Sequence, residues 1–334
     1  MNAALGGSTL MFASGGVISL ATSWLLVTRL ERMGERLGFS EGLLGVVAAL
    51  AADAPEITAS VTAMAHRQQV VGAGVVIGSN VFNLAALLGV GAVVAGGIGL
   101  HRRVVLLGGA VSVYVALVCL AAVTGVVNPA VALGLVLAGL IPYVVALGAH
   151  GSVRHVGLPD RWAEWLASAI VEEEDELELA ISPRRGTGRD AIVGLAALVV
   201  VIGASVAMEH GATSLGAHFG VPQVVVGGLV LAIVTSLPNA VAAVYLARRG
   251  RGAAAWSTAL NSNAINVAAG LLVPAAVLGM AKPSASAVLI AGWYLGLTVV
   301  ALALAYAGRG LGRTAGWLLV GAYILCVAIL LALT

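Results

Sequence analysis

Two carboxylates lie within an apolar stretch of bilayer length, residues 51–83. Asp53 and Glu56 are three residues apart, which places them on one helical face, and Pro55 between them removes a backbone hydrogen bond. Hydroxyl and amide side chains follow further along the stretch, namely Ser79, Asn80 and Asn83. Intramembrane charges are costly and usually line a pathway rather than face lipid. Because such oxygen atoms suit a hard cation, the stretch predicts a cation-binding pocket within the membrane.

The composition indicates that a membrane surrounds these residues. Of the 334 residues, 60% are hydrophobic and only 10% are charged, and the mean hydropathy is +1.05. No soluble domain needs that much apolar surface, so the bilayer is the solvent for most of the chain. The 44 glycines favour close packing between membrane helices. We therefore expect an all-α, polytopic membrane protein.

Ten apolar runs are long enough to cross a bilayer. Five precede a polar central stretch, at residues 8–28, 40–65, 70–98, 104–124 and 128–149. Five follow it, at residues 190–208, 222–247, 253–280, 284–307 and 315–333. The chain is thus predicted to comprise a first five-helix half (1–150), a loop (151–189) and a second five-helix half (190–334).

The basic residues predict the orientation of these spans. If the N-terminus is outside, 15 of the 17 basic residues fall in the inside connections, and only Arg67 and Lys282 fall outside. This bias follows the positive-inside rule. Both termini are therefore expected outside the cell and the central loop in the cytoplasm, with the protein in the plasma membrane. The acidic run 172–178 of that loop is interpreted as a solvated linker, the alternative being a regulatory cation site.

The two halves share a sequence pattern at an offset of 183 residues. Pro55 aligns with Pro238, and Glu56 aligns with Asn239. Further aligned pairs are Gly45 and Gly228, Asp53 and Ser236, Ser79 and Ser262, Asn80 and Asn263, and Asn83 and Asn266. Because five spans precede the second half, its copy crosses the membrane in the opposite sense. Such inverted repeats are typical of secondary transporters, whose sites lie at mid-membrane where broken helices from both halves meet.

These motifs resemble the two alpha repeats of the cation/calcium exchanger (CaCA) superfamily, which includes the sodium/calcium exchangers. The family pattern is approximately G-T-S-x-P-E, followed by G-S-N-x-x-N or G-S-N-x-x-D. Here the first repeat, residues 45–95, contains A-A-D-A-P-E and G-S-N-V-F-N, and the second, residues 228–278, contains V-T-S-L-P-N and N-S-N-A-I-N. The resemblance implies a diamond of four helices whose acidic residues bind calcium and sodium in turn. It also implies a transporter rather than an enzyme, with no tightly bound cofactor.

The resemblance further implies which residues bind the ions. Two departures from the family pattern change the position of one negative charge in the site. Asn239 occupies the position of the usual second acid, whereas Asp53 occupies a position where a hydroxyl residue is typical. We interpret Asp53 as replacing the charge lost at Asn239. The predicted cation ligands are Asp53, Glu56, Ser79, Asn83, Thr235, Ser236, Asn239, Ser262 and Asn266. For the hydroxyl and amide residues the alternative is plain hydrogen bonding between helices, and Asn80 and Asn263 are expected to bond free backbone groups.

A secondary antiporter is the predicted function, exchanging Ca²⁺ or a similar divalent cation for Na⁺ or H⁺ by alternating access. Two neighbouring carboxylates in a low dielectric favour a bound proton when no cation is present, which makes H⁺ a candidate coupling ion. The alternatives are a monovalent Na⁺/H⁺ exchanger on the same scaffold and a transport-inactive cation sensor. The expected partners are inorganic cations and the lipid bilayer, with no nucleic acid, and the protein is expected to work as a monomer.

Other classes of function have little support in the sequence. The chain contains no G-x-x-x-x-G-K-S/T motif, so a primary ATP-driven pump is not indicated. An intramembrane aspartyl protease needs two aspartates on different helices sharing a proton, whereas the second repeat offers Asn239 and Asn266. The six histidines include no H-x-x-x-H pair, so zinc chemistry is not expected.

Overall fold

A computed structural model describes residues 2–37, 47, 49–148, 168, 186–248, 250 and 252–334, and most of them are helical. In chain order the elements are α1 (Asn2–Leu37), α2 (Ala54–Ala65), α3 (Gln69–Ala95), β1 (Gly97–Gly99), α4 (Arg102–Val123), α5 (Pro129–Gly148), α6 (Gly188–Phe219), α7 (223–248), α8 (252–278), α9 (Ala285–Gly308), β2 (Gly310–Gly312) and α10 (Arg313–Leu333). The two short strands pair antiparallel, with Ile98 opposite Leu311.

Three of these helices contain a wider, π-helical segment. The segments are Leu84–Val90 in α3, Val226–Leu231 in α7 and Asn266–Leu272 in α8. Those in α3 and α8 occupy equivalent places in the two repeats, since Leu84 lies 183 residues before Val267. Segments of this kind are frequent at functional sites, because they change the direction of the side chains that follow.

The proline motifs of the two repeats differ in backbone structure, although the sequence predicts broken helices in both. In the first repeat, Asp53 forms a turn between the helical residues 49–52 and α2, and Pro55 lies in the first turn of α2. In the second repeat, Pro238 lies inside the continuous segment Ala232–Arg248 of α7. A proline at the start of a helix loses no intrahelical bond, whereas an internal one does.

The predicted all-α, polytopic architecture is confirmed. Among the described residues, eight helices are long and apolar enough to cross a membrane, and α5 is a shorter apolar helix. α2 lies within the predicted span 40–65. The predicted spans 8–28 and 190–208 are too short, because α1 and α6 contain 36 and 32 residues. Helices of that length exceed the hydrocarbon core of about 30 Å, so they tilt or extend into the interface.

Connections predicted to lie on one side of the membrane contact one another. β1 and β2, which join α3 to α4 and α9 to α10, pair on the predicted inner side. Arg29 and Asp190, at the ends of α1 and α6 on that side, form an ion pair of 2.5 Å. At the opposite end, the rings of His66 and His210 lie 4.7 Å apart. The alternation of spans inferred from the sequence therefore agrees with the packing.

Two kinds of helix contact organise the molecule. α3 and α7 touch through glycines, since a Cβ atom on Gly78 would lie 2.2 Å from the carbonyl oxygen of Gly228. No side chain fits between these backbones, which lets the two repeats meet closely at the centre. α1 lies along α6, where the hydroxyls of Ser19 and Ser205 form a buried hydrogen bond of 2.8 Å.

Some predicted features lie outside the described residues. They are most of the central loop 151–189, its acidic run 172–178, and Gly45 in the first repeat. The division into 1–150, 151–189 and 190–334 therefore stays a prediction.

Candidate functional site

Asp53 and Glu56 are both completely buried at the N-terminal end of α2. Glu56 lies in the first turn, where the helix dipole favours a negative charge. Asp53 occupies the position before the first helical residue, from which an aspartate usually caps its own helix. Its side chain forms no such bond. The Asp53 carboxylate is therefore free to interact with the second repeat.

The carboxylate of Asp53 accepts two hydrogen bonds from the second repeat. Nδ2 of Asn239 donates to Oδ1 over 2.8 Å, and the hydroxyl of Ser262 donates to the same oxygen atom. Asn239 and Ser262 are also close to each other, with 3.3 Å between Nδ2 and Oγ. The structure thus places Asp53 beside Asn239, the residue whose missing charge it was predicted to replace.

Glu56 is bound in a similar way by another residue of α7. The hydroxyl of Ser236 donates to Oε1 of Glu56 over 3.0 Å. Each carboxylate consequently uses one oxygen atom to accept from the second repeat. The second oxygen atoms, Oδ2 of Asp53 and Oε2 of Glu56, are buried without a hydrogen-bond partner among the described residues.

Four asparagines form a reciprocal network between α3 and α8. Nδ2 of Asn80 donates to the backbone oxygen of Asn263 over 3.0 Å, and Nδ2 of Asn263 donates to that of Asn80 over 3.1 Å. In the same way Asn83 donates to Oδ1 of Asn263 over 3.1 Å, and Asn266 donates to Oδ1 of Asn80 over 3.4 Å. Asn80 and Asn263 do bond backbone groups as expected, but across the repeats rather than within one.

This network leaves the carbonyl oxygens of Asn83 and Asn266 unpartnered. Both Oδ1 atoms are buried and accept no hydrogen bond from a described residue. The two residues occupy equivalent positions in the two repeats. Asn83 directly precedes the π-helical segment of α3, and Asn266 is the first residue of the π-helical segment of α8. Together with the free carboxylate oxygens they make four buried acceptors on residues that the sequence predicted as ligands.

Two predicted ligands direct their hydroxyl protons to backbone instead. The hydroxyl of Ser79 donates to the carbonyl oxygen of Ala232 over 3.3 Å, which ties α3 to α7. The hydroxyl of Thr235 donates to Leu231 of its own helix over 2.9 Å. Both hydroxyl oxygens keep lone pairs that a cation can use. The hydrogen bonds that they donate, however, are typical of hydroxyls that stabilise helices.

The nine predicted ligands are closed to solvent and rich in oxygen atoms that can accept a hydrogen bond or bind a cation. None of the nine predicted ligands exposes more than 1% of its surface. Unsatisfied buried oxygen atoms are costly, and an oxygen set of carboxylates and amides fits a hard cation such as Ca²⁺ or Na⁺. Chemically, the arrangement offers buried oxygen atoms from both repeats as candidate ligands for a cation.

Two features escaped the sequence analysis. Ser60 of α2 donates to backbone oxygens of Gly72 and Gly270, both over 2.8 Å, and so links three helices of the site. His66 also lies close to Glu209 and His210, although the histidines form no H-x-x-x-H pair. Ser60 and Gly270 are 210 residues apart, and His66 lies more than 140 residues from Glu209, so spacing along the chain held no signal for either feature.

Comparison with known proteins gives matches over most of the chain. A family model described as "Sodium/calcium exchanger protein" matches residues 7–149 and 191–332, which include both repeats. No curated protein matches the chain.

Several solved structures share the fold. A structure of the sodium-calcium exchanger NCX_Mj soaked with 2.5 mM Na⁺ and 10 mM Sr²⁺ has a TM-score of 0.61 at 19% identity, covering 97% of this chain and 99% of that one. A second, soaked with 10 mM Na⁺ and 10 mM Sr²⁺, has a TM-score of 0.61 at 18% identity, covering 96% and 97%. A third, soaked with zero Na⁺ and Ca²⁺, has a TM-score of 0.56 at 19% identity, covering 97% and 98%.

Proposed function

The chain belongs to the sodium/calcium exchanger family, and we propose that it is a secondary antiporter exchanging Ca²⁺, or a similar divalent cation, for Na⁺ or H⁺. As a member of this family it is a multi-pass membrane transporter of cations and not an enzyme. The observation that carries the finer proposal is that Asp53, Glu56, Asn83 and Asn266 each have a buried oxygen atom without a hydrogen-bond partner among the described residues.

The charge of the site supports the choice of ions. Two buried carboxylates balance one divalent cation, two monovalent cations, or protons. Leaving both ionised and unpaired in a closed, membrane-embedded site is strongly unfavourable. A cation that departs must therefore be replaced by another ion. Competition for the same oxygens couples the two fluxes without a tightly bound cofactor.

Alternating access follows from the way the ligands are distributed. Asp53 and Glu56 belong to the first repeat, and their hydrogen-bond donors Ser236, Asn239 and Ser262 belong to the second. Relative movement of the two repeats would separate donors from acceptors and open the site to one side at a time. In the structure Asp53, Glu56 and these donors expose at most 1% of their surface, which supports a closed state of the proposed cycle.

A monovalent Na⁺/H⁺ exchanger is the second candidate function. It is favoured by the neutral residues Asn239 and Asn266, because the site holds two carboxylates rather than more. A transport-inactive cation sensor is the third. The oxygen atoms of Asp53 and Glu56 that lack a partner among the described residues support cation binding. Cation binding alone does not require a conformational change.

We further propose a plasma-membrane location with both termini outside and the loop 151–189 in the cytoplasm. The support is the distribution of 15 of 17 basic residues. All nine proposed ligands come from one chain, which favours a functional monomer.

Flux measurements on the purified protein in liposomes test the proposal. Calcium uptake is measured under an outward Na⁺ gradient and, separately, under a pH gradient, with protein-free liposomes and ionophore-collapsed gradients as controls. We expect uptake under at least one gradient and loss of uptake when it is collapsed. Sodium uptake driven by a pH gradient, without calcium uptake, would instead establish the monovalent exchanger. Ion binding without flux of any ion would establish the sensor.

A further inference from the structure

A group of side chains with atoms suited to hold a metal ion lies at the end of the molecule opposite the β1–β2 pair. His66 follows α2, and Glu209 and His210 lie in α6. One ligand atom from each residue can be chosen such that all three lie within 4.8 Å of one another. None of these residues belongs to the cation site between the repeats.

The buried carboxylate of Glu209 is the unusual member of this group. Glu209 is fully buried, yet neither of its carboxylate oxygens has a hydrogen-bond partner among the described residues. Nδ1 of His210 lies 3.5 Å from Oε2 of Glu209. An isolated buried carboxylate is unfavourable, so this position favours a positively charged ligand.

The hydrogen bonding of His66 leaves one of its ring nitrogens suited to a metal. Nδ1 of His66 lies 2.8 Å from the backbone oxygen of Thr62. Because that oxygen atom only accepts, Nδ1 carries the proton and Nε2 has a free lone pair. Metal-ligating histidines usually have this arrangement, since the second hydrogen bond fixes the ring. His66 is exposed and His210 is partly exposed, so a metal ion can reach the group from water.

The donor atoms indicate the class of metal. Two imidazole nitrogens and one carboxylate oxygen are suited to zinc and similar transition metals, whereas calcium prefers oxygen ligands alone. Ligands of tetrahedral zinc are about 3.3 Å apart, given bonds near 2.0–2.1 Å. Small side-chain rotations therefore close the group around an ion, with water as the fourth ligand.

We propose that His66, Glu209 and His210 form a binding site for Zn²⁺ or a similar transition-metal ion, separate from the transported cations. A bound ion would join the end of α2 to α6. It would thereby connect the helix that carries Asp53 and Glu56 to the long helix that packs against α1. The site is independent of which ions the protein transports.

Zinc binding to the full-length protein in detergent tests this proposal. Titration calorimetry with ZnCl₂ is expected to show one site per chain with micromolar or tighter affinity, which an excess of Ca²⁺ does not displace. His66→Gln and His210→Gln are each expected to weaken binding by at least about tenfold, because loss of even an outer-shell partner of a metal ligand costs about that much. His218→Gln is the matched control, because His218 lies near the end of the same helix and outside the group.

Thermal melting with and without zinc provides a second readout. Zinc is expected to raise the melting temperature of the wild type and of His218→Gln, but not of His66→Gln, because an ion that binds only the folded state stabilises it. Melting of the zinc-free variants at the wild-type temperature shows that they fold. Absence of binding to the wild type, or unchanged binding in both ligand variants, would overturn the proposal.

Discussion

The two repeats share a backbone plan but divide the chemistry of the site unequally. The first repeat supplies both deep carboxylates, Asp53 and Glu56, while the second supplies the groups that donate to them. The asparagine network, in contrast, is nearly symmetric, with Asn80 and Asn263 exchanging equivalent bonds. The contact between the repeats is therefore symmetric at the asparagines that hold the helices together and asymmetric at the two carboxylates.

Removal of the Glu56 charge is expected to have the largest effect. Glu56→Gln keeps the side-chain shape but leaves the site with one carboxylate. Loss of one member of a buried charge pair costs about 3–5 kcal/mol, or more than about 100-fold in affinity. Cation uptake into liposomes should fall at least that far. Uptake at the wild-type rate would show that the ion binds elsewhere.

A charge exchange between repeats tests whether position or only total charge matters. Asp53→Asn alone should reduce uptake nearly as much as Glu56→Gln, since it also removes a buried ligand charge. The double variant Asp53→Asn/Asn239→Asp moves the carboxylate across an existing hydrogen bond without changing net charge or volume. We expect it to recover transport to within about tenfold of the wild type, a deficit of about 1.4 kcal/mol. A double variant as inactive as Asp53→Asn would show that the charge must come from the first repeat.

The glycine contact between α3 and α7 predicts unequal effects of identical substitutions. Gly78→Ala places a Cβ atom against the backbone of Gly228 and should destabilise the protein by about 1–3 kcal/mol. Gly228→Ala meets first the flexible tip of Ile290, at 3.3 Å, and should cost less. Gly292→Ala is the control, because no atom of the described residues lies within 4 Å of its new Cβ atom. Melting temperatures in detergent measure all three, and equal values for the first two would contradict this packing.

The smallest expected effects test the symmetry of the asparagine network. Asn80→Ala and Asn263→Ala should each destabilise the protein by about 1–2 kcal/mol, the usual upper range for hydrogen bonds between membrane helices. Because the two residues share their bonds, the double variant should cost less than the sum. Thermal melting provides these values. Destabilisation by only one of the two variants would show that the repeats are not equivalent here.

Much of the fold and of the site could be predicted because membrane chemistry leaves clear marks in sequence. Apolar runs predict the membrane spans, and the arginines predict on which side of the membrane each connection lies. The 183-residue offset predicts that Pro55 and Pro238, and likewise Asn80 and Asn263, are equivalent positions in the two repeats. The structure places Asp53 beside Asn239, as expected if one charge moved between repeats. The identity of the bound cations and the ligand role of each residue stay predictions.

The remaining features depend on contacts that no local pattern records. The π-helical segments of α3 and α8 contain ordinary apolar residues, so their backbone geometry is set by packing. α6 continues past the predicted span 190–208 to Phe219 and includes the polar residues Glu209 and His210. Glu209 is fully buried in the folded protein, which the sequence alone does not indicate. The approach of His66 to this pair is visible only in three dimensions.

The short β1–β2 pair constrains how the transporter can change shape. Its backbone bonds join the connection after α3 to the connection before α10, and Ile98 and Leu311 are buried beside it. The strand pair thereby links one end of each of the helices α3, α4, α9 and α10 at one face of the protein. A conformational change that opens the protein at that face must either break the hydrogen bonds between the two strands or move the four attached helices together. α1 and α6 contribute no strand to this pair.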